Sequence, residues 1–316
     1  MNATQAPAGS NDLHETTPMS YYGRPVIKAP PWRWYVGAYL FVGGLAGGSG
    51  VLALAARAGG NDRLARAALG AAAGGVLVSP VLLIADLRDP LRFVNMLRVF
   101  KITSPMSVGS WILTAFGGAA TAAAAGEFLG VAPPLGRLAE VALGLLGPAL
   151  STYTAALLAD TAVPVWHDAG DDLPFVFAGG ALASAGASAL IATPVAGAAL
   201  ARRLVFLGTG LELAALARMD RRLGPLVGEP YRAGRPGVLK QAARLASLAA
   251  VAGLRAARTS RVAAVAVGTL GLAGALCERM SIFEAGKPSA NDPRYTIEPQ
   301  RARLARAAAE RVSSPE

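Results

Sequence analysis

One cysteine and two histidines are all that this 316-residue chain offers to a disulfide or a soft metal. A single thiol, Cys277, excludes an internal disulfide. It also excludes a thiolate-held iron–sulfur cluster, which needs several cysteines. His14 and His167 both lie outside the apolar runs, whereas a haem held between transmembrane helices takes its axial ligands from inside them. The chain therefore reads as carrying no haem and no metal of its own. Charge is also scarce, at 16% of residues, and aromatics make up only 6%. No short apolar segment of the signal-peptide kind opens the chain, because its first thirty residues are polar and contain prolines. Insertion is expected to use the first apolar span as its own signal.

Apolar residues, in contrast, are abundant. They form 53% of the chain, above the roughly 45–50% of a soluble domain, and mean hydropathy is +0.42. The excess lies in runs of about 20 residues, the length that crosses about 30 Å of hydrocarbon as a helix. Eight such runs are expected, near 35–56, 64–85, 107–129, 138–159, 173–192, 199–217, 238–254 and 262–277. Pro148 is expected to kink the fourth. The fold class is an all-α integral membrane protein of about eight transmembrane helices, arranged as two four-helix bundles. Residues 1–31 form a polar N-terminal tail, 32–280 the membrane domain and 281–316 a charged C-terminal tail. Within that tail 300–311 reads as a basic amphipathic helix or a solvated segment. An even number of spans puts both termini on one side, here termed side A, with side B opposite.

The net charge of +10 does not argue for nucleic acid. Lys and Arg cluster at span ends and in the tail, where membrane topology accounts for them. They leave the orientation open. Side A holds more Lys and Arg in total. The short side B loops carry Arg57, Arg63 and Arg66, then Arg255, Arg258 and Arg261, and short loops weigh more. Lys240 and Arg244 are expected to snorkel from the seventh span.

The first span places Gly43, Gly44, Gly47, Gly48 and Gly50 close together. Small residues four apart share a face and let helices approach where lipid gives no hydrophobic drive. Close packing is the plain reading, and a smooth wall for a flat ligand is the other.

The most charged loop lies between the second and third spans. Asp86, Arg88, Asp89, Arg92, Arg98 and Lys101 fall within a few turns of one another. Charge this close to hydrocarbon sits at an interface, lines a wet cavity or docks a partner. Ser104 and Ser107 read as caps of the third span. Tyr153, inside the fourth span, is either a packed ring with a satisfied hydroxyl or a ligand donor. Glu212 lies deepest in an apolar run, and two readings stand for it: a step in a proton path, or a buried pair with an arginine. Glu127, Asp160 and Glu278 lie near predicted span ends, where solvation is the plain expectation. His167 reads as a loop residue and Cys277 as a small helix- or lipid-facing one.

Four stretches in order resemble the polysulfide reductase membrane-subunit family, NrfD/PsrC. They are WRWYVGAYLFVGGLAGG (32–48), DLRDPLRFVNMLRVFKITSPMSVGSW (86–111), STYTAALLADTAVPVW (151–166) and ARRLVFLGTGLELA (201–214). The resemblance covers roughly 20–280. The family's loop commonly reads Asp-Leu-Gly-x-Pro, whereas here Arg88 and Asp89 stand between Leu87 and Pro90.

The resemblance implies an eight-helix, haem-free subunit that binds a quinone, of the menaquinone or ubiquinone type, near side A. It implies an iron–sulfur, ferredoxin-like partner docked on that side and a molybdopterin-type catalytic subunit beyond it. Such a chain would act as the quinone-interacting anchor of an oxidoreductase in the bacterial cytoplasmic membrane, non-catalytic by itself. Asp86 and Tyr153 are the expected quinone-binding and proton-handling groups, and Glu212 a possible proton path. Arg88, Arg92, Arg98 and Lys101 are the expected docking residues. A purely structural anchor and a secondary transporter are the alternatives.

Overall fold

A computed structural model describes residues 25–87 and 89–313, with side chains as far as residue 305. Arg88, His14 and most of the predicted N-terminal tail lie outside the described residues. Eight long helices follow the apolar runs: α1 (Trp34–Ala58), α2 (Asp62–Asp86), α4 (Pro105–Phe128), α5 (Pro133–Ala159), α7 (Leu173–Ala192), α8 (Ala199–Val227), α9 (Gly234–Gly253) and α10 (Arg261–Asn291). Two short helices, α3 (Arg92–Met96) and α6 (Pro164–His167), lie in side A connections, and α11 (Arg294–Ser313) follows α10. No strand occurs among the described residues. The chain is an all-helical integral membrane protein. Six of the eight long helices, all but α8 and α9, are long and apolar enough to cross a membrane. The other two fall short of that measure. Arginines stand near both ends of α8, with Glu212 between them, and α9 carries Lys240 and Arg244.

Helices α1, α2, α4 and α5 pack as one four-helix group and α7 to α10 as another, with α1 against α7 as the main seam between them. Glycines make that seam possible. A Cβ on Gly48 would stand 2.3 Å from the Ala181 carbonyl oxygen of α7. One on Gly47 would stand 2.4 Å from Ser151 Oγ of α5. The α1 glycines on these faces are thus packing residues, and the backbones meet at distances no larger side chain permits.

Helix starts follow local chemistry. Asn61 accepts from the Leu64 N–H at the start of α2, and Ser104 from the Ser107 N–H at the start of α4. Each fills one of the orphan donors of a first turn. Helix α5 runs unbroken through Pro148. Gly224, at φ 67°, marks a break near the side A end of α8, a conformation that glycine adopts without strain.

The last span departs from expectation. Helix α10 does not stop near Cys277 but continues to Asn291, so the boundary drawn at 280 falls inside it. The extension is held by burial: Ile282, Phe283, Ala285 and Ala290 are all at most 2% exposed. Trp166 of α6 donates from Nε1 to the Ile282 carbonyl at 2.7 Å, and its ring stacks on Phe283 at 6.4 Å. The polar letters after Cys277 read as a tail only because their alternation with these buried residues spans a stretch too short and too charged to register as a span.

Candidate functional site

A crevice of about 100 Å³ opens at the side A end of the first helix group. Its walls come from the entry to α1, the end of α2, the α3 connection, the start of α4 and the end of α5. Two of its polar groups are Asp86 and Tyr153, which the fold brings into one cavity from positions far apart in sequence. Asp86 is the last residue of α2, and its side chain is 13% exposed. It accepts a hydrogen bond from the Arg33 backbone N–H at 2.9 Å, and the Arg33 Nε stands 3.7 Å away. Arg33 also donates to the Ala85 carbonyl. The chain just ahead of α1 is thereby tied to the end of α2 by one carboxylate and one backbone carbonyl.

Tyr153 faces Tyr39 of α1. Their hydroxyls are hydrogen-bonded, and the rings stand 6.5 Å apart, tilted by 58°. Tyr39 is 1% exposed. The Tyr153 ring lies directly over Gly109 of α4, where a Cβ would stand 2.1 Å from the ring. Gly109 is therefore what lets the ring occupy this place. Ser110 also lines the crevice, but its hydroxyl is engaged with the Met106 carbonyl at 2.9 Å. The remaining walls are apolar, from Trp32, Leu83, Phe93, Met96, Met106, Leu113 and Leu157 among others. An apolar slot with a few convergent polar groups at its mouth is the usual form of a small-molecule site.

The connection from α2 to α4 roofs this region and presents both charge and apolar surface. Arg98 and Lys101 are exposed, and Arg92 stands 3.9 Å from Asp89. Beside them Leu91 is 78% exposed, Val99 67%, Phe100 58% and Ile102 78%. Ser107 holds the loop by donating to the Val99 carbonyl and accepting from the Lys101 N–H, both at 3.0 Å. This is a second role for Ser107, beyond its place in the α4 cap.

Glu212 lies apart from the crevice, in the second helix group. It is 3% exposed on α8, and its Oε1 has no hydrogen-bond partner. The Arg279 guanidinium of α10 flanks the same Gly180: a Cβ there would meet Glu212 Oε1 at 2.5 Å and Arg279 Nη2 at 3.2 Å. Arg279 donates to the Phe177 carbonyl at 2.7 Å and lies 3.6 Å above the Phe177 ring centroid. Arg279, in the polar region beyond the predicted eighth span, is thus an arginine beside Glu212, but among the described residues no ion pair or hydrogen bond joins the two.

Three other placements differ from expectation. Glu278 is not solvated at a helix end; it is 4% exposed inside α10. Lys240 does not reach outward as a snorkelling lysine but pairs with Asp220 at 2.5 Å. Glu127 is held between Arg57 at 2.8 Å and Arg66 at 2.5 Å, in a side B cluster that Glu140 and Asp62 complete around Arg57. For Lys240 and Glu127 the partner comes from a different helix, which no local pattern announces. His167 sits at the end of α6 with Nδ1 2.9 Å from the Ala159 carbonyl. Tyr39 and Arg33 are site residues the sequence did not single out. Tyr39 falls one turn below the Trp32–Tyr35 aromatic belt, and that spacing was the available signal.

The geometry defines a polytopic helical membrane protein with a small, mainly apolar crevice at one membrane face. A protein-family model described as polysulphide reductase, NrfD, matches residues 26–208. The chain belongs to that family, whose members are membrane subunits of multi-subunit oxidoreductases, generally linked to quinone. No curated protein matches the chain in sequence. The matched region takes in the crevice and stops four residues short of Glu212.

Proposed function

We propose that the side A crevice takes the ring of a membrane quinone and that the chain links the quinone pool of the cell membrane to an iron–sulfur subunit docked above it. The observation that carries this reading is the convergence of Asp86 and the Tyr39–Tyr153 hydroxyl pair on one apolar slot in the family-matched region. A quinone exchanges two electrons and two protons with its surroundings. The chain's own residues bind, orient and manage protons. Phe93, Met96 and Leu113 provide flat apolar contact for a ring. At about 100 Å³ the slot suits a ring and not an isoprenoid chain, so the tail stays in the bilayer. The Tyr153 hydroxyl donates to a ring oxygen, with Tyr39 fixing its direction through their shared hydrogen bond. Asp86, part-shielded and held by Arg33, exchanges a proton with water at the side A surface.

Electrons come from a partner, since electron transfer needs a redox group and this chain's part is binding and orientation. The exposed α2–α4 connection suits that partner, because its apolar side chains offer buried contact area and Arg92, Arg98 and Lys101 steer an acidic surface. A molybdopterin-type catalytic subunit would complete the complex. Binding of a quinone analogue tests the site. With Trp32 in its wall, the crevice should show saturable fluorescence quenching by the analogue in the purified complex. Gly109→Val, which drives a side chain into the Tyr153 ring, should weaken that binding at least tenfold. Unchanged affinity in the folded variant would move the quinone site elsewhere.

A further inference from the structure

A second, larger groove lies on side B, between the start of α8 and the end of α9, with a volume of about 590 Å³. Helix α8 leans mainly on α7 and α9 on α10, and this leaves the space between α8 and α9 open at that end. Arg202 and Arg203 stand on one wall, and Arg255 and Arg258 on the other. No carboxylate forms an ion pair with any of the four among the described residues. Arg202 gives one N–H to the Val195 carbonyl at 3.0 Å, which fixes its stem and leaves most of its donors free.

Three other side B arginines are engaged within the protein. Arg57 has three carboxylates around it, and Arg66 has Glu127. Arg261 spends its guanidinium on the carbonyls of Leu190 and Thr193 at the end of α7. The groove therefore gathers four like charges without internal neutralisation, which is unfavourable unless an anion joins them. Below the arginines its floor is greasy: Phe206 is 58% exposed and Leu207 61% exposed. Phosphate oxygens match the guanidinium fork, and acyl chains match the exposed apolar side chains below.

The geometry points to a structural site for an anionic phospholipid whose headgroup carries two phosphates. Each arginine pair takes one phosphate, the two pairs bridge from α8 to α9, and the acyl chains run down past Phe206 and Leu207. A headgroup with a single phosphate would leave one pair unneutralised. Basic pockets between transmembrane helices at a membrane face commonly hold such headgroups. The bound lipid would close the seam that protein contacts leave open.

The test uses the full-length chain, purified in detergent with its native partners and stripped of lipid. Four additives are titrated: a two-phosphate diacyl-type phospholipid, phosphatidylglycerol, phosphatidylcholine and inorganic pyrophosphate. Native mass spectrometry counts retained lipid, and thermal unfolding reads its effect. One equivalent of the two-phosphate lipid is expected to bind at least tenfold tighter than phosphatidylglycerol and to raise the unfolding temperature. Pyrophosphate alone should give no comparable shift, because it lacks the chains. The triple variant Arg203→Gln, Arg255→Gln, Arg258→Gln should lose the lipid preference, whereas Phe206→Ala with Leu207→Ala should weaken the lipid and leave pyrophosphate unchanged. Equal affinity for all three lipids in the unsubstituted chain would overturn the proposal and reduce the arginines to topology signals. Pyrophosphate binding as tightly as the lipid would overturn the lipid source. If the triple variant fails to accumulate, the lipid ranking on the unsubstituted chain still decides.

Discussion

The two helix groups place their charges differently. In the first, ionisable groups sit at the two ends. Asp86 and Arg33 stand at side A, and the Arg57, Arg66, Glu127 and Glu140 cluster at side B, with glycine, alanine and leucine filling much of the interior. In the second, Glu212, Glu278 and Arg279 are all under 5% exposed, and all lie well inside helices. Charge at an end either keeps contact with water, as Arg33 does, or is neutralised by an ion pair, as the 3%-exposed Glu140 is by Arg57, and charge at the mouth is free to serve a ligand arriving from the bilayer. Mid-helix charge must be held by its neighbours, because an isolated ion there costs several kcal/mol. The difference separates a group with an accessible mouth from one with ionisable side chains buried along its helices.

The sharpest way to break this comparison is to remove the buried cation from the second group. Arg279→Met would leave Glu212 and Glu278 without it and the Phe177 carbonyl without its donor. It should destabilise the folded chain by about 1–3 kcal/mol, the range for leaving a buried hydrogen-bonding group without its partner. Arg33→Met at the mouth, whose side chain is 56% exposed, should cost about 0–1 kcal/mol. Unfolding in detergent against a denaturing detergent reads both. Equal losses would mean that the two groups do not differ in the way described.

A second substitution tests the seam that joins them. Gly48→Val places a side chain where 2.3 Å already separates a Cβ position from the Ala181 carbonyl oxygen, and the backbones must part. Overpacking of this kind costs about 1–3 kcal/mol. Gly118→Val on α4, where an added Cβ meets nothing within 4 Å, is the control and should fall well below that. A Gly48 variant as stable as the control would show that α1 and α7 are not tightly joined.

Much of this was legible from composition alone. Apolar runs of membrane length fix where helices form, so seven of the predicted spans fall on helices with ends displaced by no more than ten residues. The exception is the eighth, because burial by a tertiary partner, Trp166, extends α10 through polar letters. The meeting of Asp86 and Tyr153 in one cavity follows from their places near the side A ends of α2 and α5, which the apolar runs already mark. Their immediate partners, Arg33 and Tyr39, were not legible, since hydrogen bonds across 53 and 114 residues have no local signature. The same applies to Glu212, whose neighbouring arginine lies on another helix, and to Lys240, whose snorkelling was argued from its own helix without Asp220. Arg88 lies outside the described residues, and its docking role stands as a proposal with those of Arg92, Arg98 and Lys101.

The central claim is that the first helix group binds a quinone through Tyr153 and Asp86. Its most direct test is turnover of the intact complex assayed two ways, with a quinone and with an artificial dye that meets the catalytic subunit directly. Tyr153→Phe and Asp86→Asn should each lower quinone-linked turnover at least tenfold, about 1.4 kcal/mol at the barrier, with dye-linked turnover unchanged. Normal quinone-linked rates in both variants would contradict the account and leave the chain as a structural anchor of its complex.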